Sequence, residues 1–130
     1  ADDRVAIFRL HWRGWKLLFT SDAGMDTERQ MLDARKDLSA DVIIAGHHRG
    51  DASLSDPFLD AVNPQAIVAS HAEFPPEERL SPESVKYWRS RGVHVIHQGE
   101  AGGVTMRVDA AGNLQLEGFA DQSVLSLKPR

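Results

Sequence analysis

Two unbroken apolar runs, Val42–Ala45 and Ala66–Ala69, constrain the fold of this chain more than any other feature. A strand without a polar face is buried on both sides, as in the interior of a parallel sheet. Parallel neighbours need a crossover of a dozen or more residues, usually a helix. The intervening segment supplies one: Ser55 or Asp56 as cap, Pro57 in the first turn, Phe58, Leu59 and Val62 as an apolar face, and Asn63-Pro64 as the stop. A further unit follows. Ser81-Pro82-Glu83 starts a helix with Val85 and Trp88 on its buried side and Tyr87 as a further candidate for it, Gly92 closes it, and Val93–His97 is the next strand.

The flanks extend this pattern. Val5–Trp12 and Trp15–Thr20 are β-rich runs around an Arg13-Gly14 turn, which predicts a hairpin. Met31, Leu32, Arg35 and Leu38 recur at helical spacing, predicting a helix over 25–38 capped by Asp26 or Thr27. Residues 46–53 and 72–80 are polar or Pro-rich loops. Val104–Val108 and Leu114–Glu117 form a second hairpin, and Val124, Leu125 and Leu127 mark an edge strand or a frayed tail. The order β-β-α-β-α-β-α-β-β-β is that of an α/β fold, a mixed sheet with helices on at least one face. Residues 1–118 form the domain and 119–130 its tail.

Composition removes several functions. A chain of 130 residues is one domain or part of one. With no cysteine, disulfides, thiolate zinc sites and a thiol nucleophile are excluded. A net charge of −4 argues against a broad phosphate-binding surface. A nuclease that grips its substrate through metals remains compatible with that charge. No stretch approaches the ~18 consecutive apolar residues of a membrane span, and Ala1-Asp2-Asp3-Arg4 is no signal peptide. A charged start just ahead of a strand reads as a piece of a longer protein.

Chemistry-bearing residues collect where apolar runs end. Asp22 follows Leu17–Ser21, and His47-His48 follow Val42–Gly46. The carboxyl ends of strands are where α/β sheets present working groups. Asp22 fits either a turn aspartate bonded to its own backbone or a carboxylate ligand. Adjacent histidines on an extended chain point oppositely, so His47 and His48 are either loop residues or one ligand with a neighbour. Aspartate and histidine together suit zinc, manganese or iron. Ser70-His71 repeats the arrangement one strand later, as a third ligand, a substrate-binding imidazole or polar loop. His94 and His97, three apart in a strand, face opposite sides and read as structural. His11 reads as core or edge packing, and Trp12, Trp15 and Trp88 as core or rim.

The segments Leu17–Gly24, Asp41–Gly50, Phe58–Ser70, Ser81–Glu83 and Gly92–Leu114 resemble the C-terminal half of a metallo-β-lactamase-fold domain. Within that superfamily they are most similar to the domain attached to competence DNA-internalisation membrane proteins of the ComEC type. The likeness spans residues 5–117. It implies an αββα sandwich of which this chain is the C-terminal half, a mixed sheet with helices on one face. It also implies Asp22 as a metal-bridging and catalytic carboxylate, His47 as a metal ligand, and His48 as a catalytic or substrate-facing group. Arg49 and His71 would then touch substrate. Two zinc or manganese ions would serve the parent domain, a metal-dependent phosphodiesterase or nuclease acting on DNA during uptake.

Four departures from the family pattern qualify this. The principal His-x-His-x-Asp-His motif is absent and would precede residue 1. Ser21 stands where glycine is usual, leaving less freedom for positive φ. Arg49-Gly50 replaces Gly-Ser, and Leu80 stands where a histidine precedes the proline, a role His71 could take. A hydrolytic zinc site needs three protein ligands and an open position, and Asp22 with His47 supplies two. Alone, the chain is therefore expected to be inactive and metal-free, its partners being the N-terminal half of the same domain and DNA. Phe8, Leu10 and Leu17 are expected to lie uncovered and to drive homodimerisation or strand exchange. The parent is expected to be a membrane-anchored bacterial protein with this soluble domain on its extracytoplasmic side. The competing reading is a non-catalytic scaffold or interaction module on the same fold.

Overall fold

The computed structural model describes residues 6–21, 23–34, 37–46, 54–70 and 81–130. Strands β1 (Phe8–Trp12), β2 (Trp15–Ser21), β3 (Val42–Ala45), β4 (Ala66–Ala69) and β5 (His94–His97) form one mixed sheet in sequential order. β1 and β2 are an antiparallel hairpin, and β2 to β5 run parallel. Arg13 and Gly14 both take positive φ, 49° and 85°, the two-residue turn that matches strand twist. A second sheet holds β6 (Val104–Val108), β7 (Leu114–Gly118) and β8 (Val124–Leu127), all antiparallel. The α/β class expected from the sequence is thus the observed one. The C-terminal tail contains an edge strand whose Leu127 is buried.

Helices α1 (Met25–Asp33), α2 (Asp56–Val62) and α3 (Pro82–Ser90) connect the parallel strands. Ser55 caps α2, its Oγ accepting the Phe58 N–H at 3.4 Å, and Asn63 ends the helix in the left-handed region at φ 51°. Ser81 caps α3 in the same manner through the Ser84 N–H. α1 departs from expectation at both ends. Its cap is Gly24, without a side-chain bond, and Asp26 lies inside the first turn, where its charge complements the helix dipole. It stops at Asp33, short of Leu38, and beyond it the Asp37 carboxyl accepts hydrogen bonds from the Ser39 N–H and Oγ at 3.0 and 2.7 Å in a local turn. A short helix α4 (Gln98–Ala101) follows β5; nothing in its sequence predicts it, since it carries no periodic apolar signal.

Alternation sorts the main sheet into two faces. Leu18, Ile43, Ile67 and Val95 share one row and pack under the helices with Phe58, Leu59, Val62 and Trp88. Leu17, Val42, Ala66 and Val68 face the second sheet and meet Leu114, Leu116 and Leu127. The Trp15 indole N–H donates to the Gly112 carbonyl at 2.9 Å, tying the β6–β7 turn to the main sheet. Leu17, expected to be uncovered, is 3% exposed because the second sheet lies over it. On β1 Trp12 packs against this cluster, whereas Phe8 and Leu10 remain 57% and 43% exposed, with Phe8 stacked on Phe19 at 4.6 Å. His11 is exposed on the same edge strand.

Phe58 is fully buried beneath the sheet, so Phe58→Ala should cost about 3–5 kcal/mol through lost transfer and a residual cavity, read as a lower urea midpoint. Asp37 tests pH dependence. The Ser39 hydroxyl and N–H, with Arg9 and Lys16 nearby, hold its carboxyl at about 2 instead of 3.8. A lowered carboxyl stabilises the fold above the unfolded value and loses that contribution as pH falls. The stability difference between wild type and Asp37→Asn should therefore be constant above pH 3.8 and disappear as pH approaches about 2.

Candidate metal centre at the carboxyl ends of the strands

All four parallel strands end on one edge, in register. Ser21 pairs with Ala45, Ala45 with Ala69 and Ala69 with His97. Two hydrogen bonds extend the ladder past the last pairs: the Gly46 N–H donates to the Ser21 carbonyl at 2.6 Å, and the Ser70 N–H to the Ala45 carbonyl at 2.7 Å. Neighbouring strands lie about 4.8 Å apart. The chain therefore leaves β2, β3 and β4 from points spanning roughly 10 Å of one edge.

The end of β2 has the least regular backbone. The register slips between Phe19 and Ser21, a bulge at Thr20, and Thr20 itself is buried. Ser21 then enters the left-handed region at φ 52°. The Ala23 N–H donates back to the Thr20 carbonyl at 3.0 Å, closing a tight turn into α1. A left-handed conformation costs a non-glycine residue roughly 1–2 kcal/mol. Serine in place of glycine therefore does not prevent positive φ here; the ladder bond from Gly46 holds Ser21 there. Bulges and such outliers concentrate where a sheet aims a functional side chain.

Asp22, His47, His48, Arg49 and His71 lie outside the described residues. The described residues just before them are Ser21, Gly46 and Ser70, so the register brings together the ends from which all five positions continue. Among the described residues, no group of three or more histidines, aspartates or glutamates is gathered that could hold a metal ion. One described imidazole, His97, belongs to the same edge. It lies half-buried in the row of Ser21, Ala45 and Ala69, and it begins α4 as its cap residue. As their spacing predicts, His94 and His97 face opposite sides of the sheet: they pair with Ala66 and Ala69, which belong to the two different cores, and His94 is exposed. What spacing cannot indicate is that β5 ends level with the other three strands.

Glu28 carries no sequence signal of its role. It is 3% exposed, and its two carboxyl oxygens accept the Leu54 and Ser55 N–H groups at 2.6 and 2.9 Å. On sequence it reads as one more acidic residue in a helix's first turn, since no local signal marks its burial.

No model of a known protein family matches the chain, and a search of curated proteins finds no match. Among the described residues no helix is long and apolar enough to cross a membrane.

Replacing Ser21 by glycine removes the steric cost of its left-handed backbone. Ser21→Gly should raise unfolding stability by about 1 kcal/mol, measured by urea denaturation; a loss of that size would show the side chain to be the stronger influence.

Proposed function

We propose that this chain is the C-terminal part of a metal-dependent hydrolase domain of metallo-β-lactamase type, whose parent cleaves a phosphodiester, with DNA during uptake as the substrate. The observation that carries this reading is the in-register edge at which β2, β3 and β4 end, with a bulge and a left-handed residue immediately ahead of Asp22. Oxygen and imidazole donors leaving adjacent strand ends are the donor set zinc and manganese take.

Asp22 and His47 would hold the metals. The ions, when bound, would polarise a phosphoryl oxygen and lower the pKa of a water. His48 would move a proton at the reacting oxygen, the task for which imidazole is suited near neutral pH. Arg49 would pair with a phosphate oxygen through its guanidinium fork, and His71 would donate to the substrate. Two ligands leave the coordination incomplete, so the N-terminal half of the domain is the partner this function requires. A membrane-anchored bacterial parent with this part on the extracytoplasmic side accords with a role in DNA uptake.

A non-catalytic interaction module is the second reading, and one observation favours it. Phe8 and Leu10 form an exposed apolar flank on an edge strand, next to the half-buried Phe19, of the kind that marks interaction surfaces. The N-terminal half or a second copy would cover it. In the second case light scattering gives a dimer that Phe8→Ser with Leu10→Ser dissociates; a wild-type monomer at high concentration removes the homodimer.

The enzymatic reading is tested on the chain extended upstream through the whole domain. Metal content and nuclease activity should both be present. Asp22→Ala and His47→Ala should each lower metal affinity about 100-fold or more and abolish cleavage, by analogy with the 10–100-fold already lost when only outer-shell partners are changed. Cleavage that persists in Asp22→Ala, or metal content unchanged in both variants, would overturn it.

A further inference from the structure

Glu28 lies on α1, the helix that begins just after Asp22, yet both of its bonds go to the far end of the connection that carries His47 and His48. That connection leaves β3 at Gly46, whose N–H is held by the Ser21 carbonyl, and rejoins the described chain at Leu54. Leu54 is itself unusual: 4% exposed, non-glycine and left-handed at φ 56°. An orphaned buried N–H costs as much as a lost hydrogen bond. The Leu54 and Ser55 N–H groups precede the first turn of α2, and Glu28 satisfies both. A single buried side chain thus ties the helix entered from Asp22 to the point where the histidine connection ends.

We infer that Glu28 is a positioning residue that couples the two ligand-bearing connections of the proposed site. It fixes where the chain returns after His47 and His48, while the Gly46–Ser21 bond fixes where it departs. Its place in the metal site rests on the hydrolase reading; its hold on residues 54 and 55 does not. Chemistry sets the residue type. Two N–H donors arriving on two different oxygens need an acceptor at each, and glutamine offers one acceptor and one NH2 donor. Aspartate would be one methylene too short. The substitution Glu28→Gln keeps the volume and loses one of the two bonds, so it isolates the grip from the packing.

Arg49, between Gly46 and Leu54 in the sequence, is of the residue type trypsin cleaves after, so the test needs no metal. Glu28→Gln is compared with Leu116→Ala, a core change in the second sheet that lowers stability without touching this region. Glu28→Gln should raise the cleavage rate after Arg49 about ten-fold beyond Leu116→Ala at matched global stability, equivalent to about 1.4 kcal/mol. In the wild type, hydrogen exchange should find the Leu54 and Ser55 amides protected. Equal cleavage in both variants, or unprotected amides at 54 and 55, overturns the inference. In the upstream-extended chain, Glu28→Gln should weaken zinc or manganese binding about ten-fold by calorimetry while Leu116→Ala leaves it unchanged. Wild-type metal binding that Glu28→Gln does not alter overturns the coupling. Absence of metal binding in the wild type overturns the hydrolase reading alone, and the cleavage comparison still decides whether Glu28 fixes the connection.

Discussion

Burial of β3 and β4 on both faces is the constraint on which the rest of the structure depends. Val42, Ile43, Ala66 and Ile67 have no exposed surface, and they alternate between the helices on one side and the second sheet on the other. Strands without a polar face cannot sit at an edge or face water. They require a hairpin on one flank, β5 on the other, and a layer above and below. Each crossover helix then has its apolar face prescribed, which is why Phe58, Leu59, Val62 and Trp88 all meet the same side of the sheet.

The same constraint orders the edge at which the parallel strands end. Because β3, β4 and β5 pair in parallel with unbroken register, and β2 joins them through a one-residue slip at Thr20, their carboxyl ends lie level, and every connection toward a helix starts from that edge. Regular strands would deliver each following residue in a direction set by the pleat alone. At β2 the strand itself ends irregularly, with a bulge at Thr20 and a left-handed Ser21 whose carbonyl accepts the ladder bond from the Gly46 N–H. Strain of this kind persists only where neighbours over-determine it. Ser21 is over-determined by the Gly46 bond and the Thr20–Ala23 turn, and Leu54 by Glu28.

Much of the element order is readable because its signals are local. Ser55, Pro57 and Asn63 bracket α2; Ser81, Pro82 and Gly92 bracket α3; Arg13-Gly14 turns the first hairpin. Errors fall where a local signal has a stronger competitor. The helical spacing through Leu38 outruns α1, Asp37 and Ser39 make a local turn, and Leu38 is buried from outside the helix. Asp26 could cap but lies inside the first turn instead. β6 to β8, which read as a hairpin followed by an edge strand or frayed tail, form a layer of their own, whose apolar face packs Leu114, Leu116 and Leu127 against Leu17 and Val42 of the main sheet.

By itself, the amino-acid order determined the α/β class, the succession of strands and crossovers, and the placing of chemistry-bearing residues directly after apolar runs, since period, caps and breakers act within a few residues of one another. Only the tertiary structure decided that β2, β3, β4 and β5 end level, that Ser21 and Leu54 adopt left-handed backbones, and that Glu28 is buried with its oxygens on amides 26 and 27 residues away. Those outcomes depend on register and on partners brought together across the chain, and no window of sequence contains both members of such a contact.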